Sequence, residues 1–445
     1  MAETSKNSEL MEKIVSLCKR RGFIFQGSEI YGGFAGTWDY GPYGAELSNN
    51  IKNIWWKMFI SDREDMYGVD AAIIMNPKAW EASGHVSGFS DPLVECQKCH
   101  HRFRSDQLED KTKCPDCGGK FGEEKQFNMM FKTHVGATED ESSVAYLRPE
   151  TAGGMFVNFK NIMDSIHPKL PFGMGQIGKA FRNEIAPRDF IFRSREFRQM
   201  EIEYFVDPRD EKKVMSVFDA WFEEQMRFLK EIGLSENKLH KIEVSEADRA
   251  FYSKRSIDTE FDFPFGQKEL LGLAYRTDYD LKNHSTASGV DLSYFDEETK
   301  ERIVPHCIEP TFGLERLVLA VMSDAYSEEE KDGEVRTYLK FTPKVAPVKV
   351  AVFPLLKNKP DLVDKATEVY KILKKEFGAV MFDDNGNIGK RYRRQDEIGT
   401  PWCVTIDFDT VEKDAGVTVR DRDTGEQKRM SVEELVSFVK KELSQ

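Results

Sequence analysis

GMGQIGKAFRNEIAPRDFIFRSREFRQMEIEYFV (173–206) is two alternating runs around a polar, arginine-rich loop. In the second run, Phe197, Gln199, Glu201 and Glu203 fall on one face of a strand and Met200, Ile202, Tyr204 and Val206 on the other. The apolar set predicts packing against a core. The first set, two carboxylates, an amide and a ring, fits a polar cavity, although a solvated surface ribbon shares the pattern. On the incoming run Arg182 and Glu184 share a face, with Arg188, Arg193 and Arg195 in the loop between.

Outward from the hairpin, 146–163 reads as a strand end followed by a helix, with Met155, Phe156, Phe159 and Ile162 inward and Glu150 at the helix entry, where a carboxylate complements the dipole. Residues 217–232 form a strongly amphipathic helix stopped by Gly233. Strand-like runs lie within 261–277 and at 303–308. Residues 309–322 pass from strand to helix, with Gly313 at the bend. Arg316 follows in the first helical turns, where a cation opposes the dipole and calls for an anionic partner; Glu315 or a bound phosphate would serve. Upstream, helical spacing covers 8–20 and 45–60, separated by the glycine- and aromatic-rich 27–44. A strand is expected at 69–75, ended by Pro77.

Residues 91–125 are polar and hold Cys96-x-x-Cys99 and Cys114-x-x-Cys117. Two such knuckles supply four thiolates for tetrahedral zinc, and so little apolar content needs a metal staple. A four-sulfur site is closed, so the expected Zn2+ is structural, with His100 and His101 left over. The other three of the seven cysteines, Cys18, Cys307 and Cys403, are scattered, which is no disulfide framework.

The acidic stretch 323–334 and the prolines 343 and 347 suggest a mobile domain boundary. Beyond it, strand and helix alternate, as in a compact α/β domain, and the last helix opens with the capping box Ser431-x-x-Glu434. Residues 347–445 hold 18 basic and 18 acidic side chains, so the net charge of −13 falls on residues 1–346. That balance argues against a protein coated in positive charge for non-specific nucleic-acid binding. The run at 389–397 is a candidate RNA contact or a solvated helix face with ion pairs to Asp396 and Glu397. The 445 residues, 40% of them hydrophobic, can bury a large core in two or three domains. No apolar run approaches a membrane span and no secretory leader is readable, so a cytoplasmic location without membrane contact is expected.

These phrases together resemble the class II aminoacyl-tRNA synthetases. Phe181-Arg182-Asn183-Glu184 with Arg193-x-x-x-Phe197 is similar to their motif 2, and Gly313-Leu314-Glu315-Arg316 to motif 3. The helix 45–60 with the strand ending at Pro77 fits the looser motif 1, which implies a homodimer. GSEIYGG, TWDYGPYGAEL, NPKAWEASGH, LRPETA, RTDYDL, EPTFGLERL and IGKRYRRQDEIGTPWCVTIDFD resemble the homodimeric glycyl-tRNA synthetases, over nearly the whole chain. Gly153 stands where many members have glutamine, and Thr311 where many have serine. The nearest rivals are a threonyl or prolyl enzyme, a non-catalytic relative that kept the fold, and a zinc-ribbon adaptor. Retention of Arg182, Arg193 and Arg316 speaks against the second.

The resemblance implies an α+β fold. An antiparallel-sheet catalytic core (1–90 with motif 1, and 126–340 with motifs 2 and 3) carries a zinc-binding insertion at 91–125. An α/β anticodon-binding domain follows at 347–445, with 390–394 as candidate contact. It also implies formation of glycyl-adenylate from glycine and ATP with Mg2+, then transfer of glycine to tRNA(Gly). Arg182 and Arg316 would be catalytic. ATP would be held by Arg182, Asn183, Glu184, Phe192, Arg193, Ser194, Arg195, Glu196, Phe197, Glu269, Leu270, Gly313, Leu314, Glu315 and Arg316, with Phe197 on one face of adenine and Arg316 over the other. Glycine would meet Arg104, Glu150, Phe197, Arg198, Gln199, Met200, Glu201, Arg276, Glu309, Pro310, Thr311, Phe312 and Gly313, with Glu150, Glu201 and Glu309 facing its ammonium and Arg104 and Arg276 as candidate carboxylate or orienting partners.

Overall fold

The computed structural model describes residues 2–250, 252–331 and 333–444. Its centre is a seven-stranded sheet of β1 (Met66–Gly68), β2 (Phe172–Phe181), β3 (Glu196–Val206), β4 (Leu239–Glu243), β5 (Arg255–Phe263), β6 (Gly266–Thr277) and β7 (His306–Gly313). Their order across the sheet is 4-5-6-7-3-2-1, antiparallel except for the edge pair β1 and β2. Antiparallel sheets tolerate one face that is not wholly covered, and this one leaves part of a face open.

The two faces divide as the alternation predicts. Met200, Ile202, Tyr204 and Val206 join Ile308, Phe312, Leu271 and Leu273 in the main core. The helices Pro42–Trp56, Glu211–Glu231 and Leu314–Ala325 cover that side through Leu47, Ile51, Trp55, Phe218, Trp221, Leu317 and Val318. On the opposite face the helix Ala152–Ile166 covers one end, where Met155, Phe156 and Phe159 pack on Phe172, Met174 and Phe205. The other end of that face carries Phe197, Gln199, Glu201, Thr311 and Gly313 and is left as a cleft.

Residues 69–75 do not form the expected strand. Pairing with β2 ends at Gly68, and the chain then leaves the sheet so that the Ala71 carbonyl accepts from Arg148 Nη1 at 2.8 Å. Pro77 is the first residue of a short helix, Pro77–Ala82, capped by Asn76. The acidic stretch 323–334 is also not a loose boundary. It ends the helix Leu314–Ala325 and enters a hairpin of Tyr326–Lys331 and Glu334–Leu339. Long-range ion pairs hold that hairpin: Glu328 to Lys13 at 2.9 Å, and Arg336 to Asp396 at 2.8 Å.

Beyond the hairpin lies a five-stranded sheet of β8 (Val350–Pro354), β9 (Val380–Phe382), β10 (Trp402–Ile406), β11 (Val417–Asp421) and β12 (Gln427–Met430), ordered 9-8-10-11-12. It has its own core of Val350, Val352, Leu362, Val369, Val404 and Leu435. The Ser431–Glu434 capping box is formed, each residue bonding the other's backbone N–H. Among the described residues no helix is long and apolar enough to cross a membrane.

The candidate active site and metal centre

The cleft is lined by Arg182, Glu184, Phe192, Arg193, Ser194, Phe197, Gln199, Glu269, Leu270, Thr311, Gly313, Glu315 and Arg316. Three separate stretches of the chain therefore converge on one polar floor: the β2–β3 hairpin, β6 and the β7-to-helix junction. A cavity of about 720 Å3 lies elsewhere, and its Arg209 is already paired with Asp207 and Glu301.

At one end of the cleft sit the arginines. Arg182 donates to the Pro149 carbonyl (3.1 Å), and its guanidinium lies 5.3 Å from both the Phe89 and Phe197 rings. Arg193 approaches Glu184 at 3.5 Å and reaches Gln107 of the cysteine-bearing unit at 3.4 Å. Arg316 finds its anion in Glu269, at 3.0 Å, and lies 4.6 Å over Phe192. Of the anions expected for Arg316, Glu315 is not its partner. Adjacent residues on a helix diverge by about 100°. Glu315 therefore turns toward Arg198, accepting from Nε at 2.9 Å and from the backbone N–H at 2.7 Å.

At the other end is an acidic chamber. Glu201 accepts from the Thr151 N–H at 3.2 Å, from Thr311 Oγ1 at 3.2 Å and from the Thr151 hydroxyl at 2.5 Å. Glu309 and Asp280 share Arg276, which donates at 2.8 Å to the first and at 2.8 and 2.9 Å to the second. Glu150 meets His85 Nε2 at 3.2 Å. Glu203, fully buried, accepts from Cys307 Sγ at 2.9 Å and leaves its Oε1 without a partner among the described residues.

Five carboxylates thus surround one buried guanidinium, and their protonation reflects it. Burial and the Glu309 charge raise the Glu203 carboxyl well above its usual range. Burial and Glu150 raise Glu201. Burial pushes Glu309 up to about 8 against the pull of Arg276. Glu150 goes the other way: burial opposes it, but His85, Arg276 and Arg182 hold it down to about 2. A chamber short of positive charge accepts a small cation such as an ammonium group.

Arg276 is inside the chamber and takes the orienting one of its two expected roles; several other expected residues are not brought there. Arg276 is 1% exposed, its donors point at Asp280 and Glu309, and the Tyr252 ring lies 4.0 Å away, so it positions Glu309 and does not face a ligand. Arg104 belongs to the cysteine-bearing unit and is held by Asp91 (2.6 Å) and Asp106 (2.7 Å). Arg198, Met200, Pro310 and Phe312 sit on the opposite parity and face the other side of the sheet; Arg198 lies 4.3 Å over Tyr40. Leu314 is core, Glu196 pairs with Lys179, and Asn183 contributes its backbone N–H to Met129 O at 2.7 Å. Arg195 is spent on the carbonyls of Ala35 and Glu184. Gly153 lies where a Cβ would come 2.8 Å from Trp80, so the packed indole leaves no room for a longer side chain. Thr151, Asp280, Tyr252 and His85 complete the chamber without a signal in local sequence, although His85, Thr151 and Asp280 fall inside the NPKAWEASGH, LRPETA and RTDYDL phrases.

The four clustered cysteines come together. Their sulfur atoms lie within 4.8 Å of one another, with Cys96 to Cys117 at 3.5 Å and Cys99 to Cys114 at 3.7 Å. Four thiolates about 2.3 Å from one tetrahedral ion stand about 3.8 Å apart. The set could therefore hold a metal. Gly119 permits the closeness, since a Cβ there would be 2.9 Å from Cys96 Sγ. His100 and His101 turn instead to Glu95 (3.3 Å) and Asp116 (2.6 Å).

In the C-terminal domain the run 390–394 divides. Arg391 is buried and donates to the carbonyls of Pro354, Asp384 and Gly386, and Arg394 pairs with Asp383 at 2.6 Å. Asp396 and Glu397 pair outside the run, with Arg336 and Arg420, and with Arg20 and Arg21.

Comparison with known proteins agrees with this architecture. The description "tRNA synthetase class II core domain (G, H, P, S and T)" matches residues 131–325, and "Anticodon binding domain" matches 349–442. The chain is 50% identical to a protein named glycine--tRNA ligase from Bacillus anthracis, covering 97% of this chain and 99% of that one. It is 50% identical to the one from Caldanaerobacter subterraneus subsp. tengcongensis (97% and 98%), and 48% identical to the one from Clostridium acetobutylicum (98% and 100%).

Proposed function

The chain belongs to the glycine--tRNA ligases of class II, and from that footing we propose how its cleft does the work. The enzyme activates glycine with ATP and attaches it to tRNA. The observation that carries the assignment of the pocket is the acidic chamber beside the arginine-lined cleft. Glycine offers an ammonium and a carboxylate and no side chain, and Glu150, Glu201 and Glu309 meet the ammonium. ATP lies over Phe197 with Glu184 at its base, its α-phosphate at Arg182 and its outer phosphates at Arg193 and Arg316.

Activation is attack by glycine's carboxylate on the α-phosphate with loss of pyrophosphate. The nucleophile is already ionised, so the residues need to align and to stabilise charge, and not to remove a proton. Arg182 is set between the chamber and the outer arginines, where charge builds on the α-phosphate oxygens. Glu269 is the candidate to hold Mg2+ bound with ATP, which would neutralise the polyphosphate, or to meet the ribose. Aminoacylation of tRNA(Gly) by the purified protein, with other tRNAs left uncharged, tests the activity.

The pH dependence follows from Glu309. An ammonium binds the ionised carboxylate, and the raised value of about 8 means that Glu309 is largely protonated at lower pH. Glycine binding must therefore displace a proton, and KM for glycine is expected to fall as pH rises from about 6.5 toward 8, approaching tenfold per unit, then to level off. Steady-state exchange at varied glycine and pH measures this; a flat profile contradicts it.

The cysteine cluster holds a structural Zn2+, closed by four thiolates. Metal analysis of protein purified without chelator should give one zinc per chain, and a metal-free protein would refute the assignment. The chain works in the cytoplasm as a homodimer through the motif 1 region. Residues 1–90 and 126–340 form the catalytic core around the 91–125 insertion, and 347–445 read the anticodon. Of the basic run, Lys390 is the side chain left for RNA, since Arg391, Arg393 and Arg394 are engaged within the protein.

A further inference from the structure

The segment 80–89, from the NPKAWEASGH phrase onward, supplies none of the groups named above to ATP or glycine, yet it closes one wall of the acidic chamber. His85 is its centre. The ring lies between Trp80 (centroids 5.5 Å apart, nearly perpendicular) and Phe89 (5.3 Å). Ser83 Oγ stands 2.8 Å from Nδ1, and Asn128 Nδ2 fixes the local backbone by donating to the carbonyls of His85 (3.2 Å) and Val86 (2.9 Å). A ring held on its faces, at one nitrogen and through its backbone has one direction left for Nε2, and there it meets Glu150 at 3.2 Å. Ser83 Oγ also lies 3.3 Å from the Trp80 carbonyl; in the tautomer in which it donates to Nδ1 instead, Nε2 carries the proton and turns it to one Glu150 oxygen. The other oxygen, Oε1, has no hydrogen-bond partner among the described residues and is available to a ligand.

We propose that His85 is a positioning residue for glycine binding: it anchors Oε2 of Glu150 so that Oε1 is presented to the ammonium. Glu150 depends on this more than its neighbours do. Glu309 is oriented by Arg276 and Glu201 by Thr151 and Thr311, whereas the 3.2 Å contact with His85 Nε2 is the one polar side-chain contact Glu150 has among the described residues. Phe89 adds a second link, because the ring that supports His85 also lies 5.3 Å from the Arg182 guanidinium. One short segment therefore borders both the ammonium chamber and the α-phosphate arginine.

The inference rests on Glu150 being an ammonium ligand, so the test includes a Glu150 variant. In glycine-dependent ATP–pyrophosphate exchange, H85A is expected to raise KM for glycine at least tenfold, with KM for ATP within twofold of wild type and a smaller loss in kcat. H85Q, whose amide nitrogen reaches the place of Nε2, should regain most of that loss, and the shorter H85N should not. E150Q should raise KM for glycine at least as much as H85A. An unchanged glycine KM in H85A with a raised one in E150Q would overturn the positioning role and leave the pocket standing. Unchanged values in both would overturn the pocket assignment as well. Equal rises in the glycine and ATP constants, or an H85Q no better than H85N, would make His85 a packing residue and end the proposal. If H85A does not fold, as read by its thermal transition, the comparison of H85Q with H85N decides.

Discussion

Arg182→Ala is expected to lower glycine-dependent ATP–pyrophosphate exchange by roughly 10²–10³-fold or more, the range for removing one donor aimed at developing charge. The fold should survive. Arg182 makes one hydrogen bond to a backbone carbonyl and lies against two rings, Phe89 and Phe197. These contacts are worth about 1–2 kcal/mol together. Its removal leaves no buried carboxylate without its paired cation, because the acids of the chamber lean directly on Arg276, His85 and the threonines. The loss should fall on kcat more than on KM for glycine, since the ammonium site lies beyond it. Circular dichroism of the variant should match wild type while exchange collapses. Exchange near the wild-type rate would remove Arg182 from the α-phosphate.

Arg276→Met should act in the opposite way, through stability first. Its side chain is 1% exposed and joins Asp280 and Glu309 through three hydrogen bonds of 2.8–2.9 Å. Taking away one partner of a buried ionic cluster strands the others, at a cost of about 3–5 kcal/mol. The pH dependence gives the sign. Without the guanidinium, which pulls the Glu309 carboxyl down, that carboxyl rises further above its unfolded value, so the folded state holds a proton that the unfolded state has released. The destabilisation is therefore smallest at acid pH and grows as pH rises through those values. Thermal melts of variant and wild type at about pH 6.5 and pH 9.5, on either side of the wild-type Glu309 value of about 8, measure the difference. An equal deficit at both would mean that the carboxylates were not left bare. Arg276→Lys should recover only part, because an ammonium cannot match the fork that bridges two carboxylates.

How much of this was legible depended on whether the governing interaction was local. The alternation at 196–206 marked the two faces of β3 because period 2 is a property of one strand. The same holds for the strand-to-helix bend at Gly313 and for the Ser431–Glu434 cap. Four cysteines in paired knuckles announced their own convergence. Partners were the part that could not be read. The resemblance left Arg276 and Arg104 as carboxylate or orienting partners; the fold supplies their anions, as Asp280 and Glu309 and as Asp91 and Asp106. The stretch 323–334 reads as mobile because charge dominates it, yet Lys13 and Asp396, both distant in sequence, hold the hairpin it enters. Arg391 looked like solvated charge for the same reason and turned out to satisfy carbonyls inside its own domain.

We propose that the acidic chamber beside Arg182 is the glycine site and leaves no room for a side chain, and ATP–pyrophosphate exchange with each amino acid in turn tests this most directly. Glycine should support exchange. Alanine and serine, which add a single group at the Cα, should fall at least about 10²-fold lower in kcat/KM, as expected where a packed site must reject added volume. Exchange driven as well by threonine, proline or alanine, or no exchange with glycine, would contradict the claim.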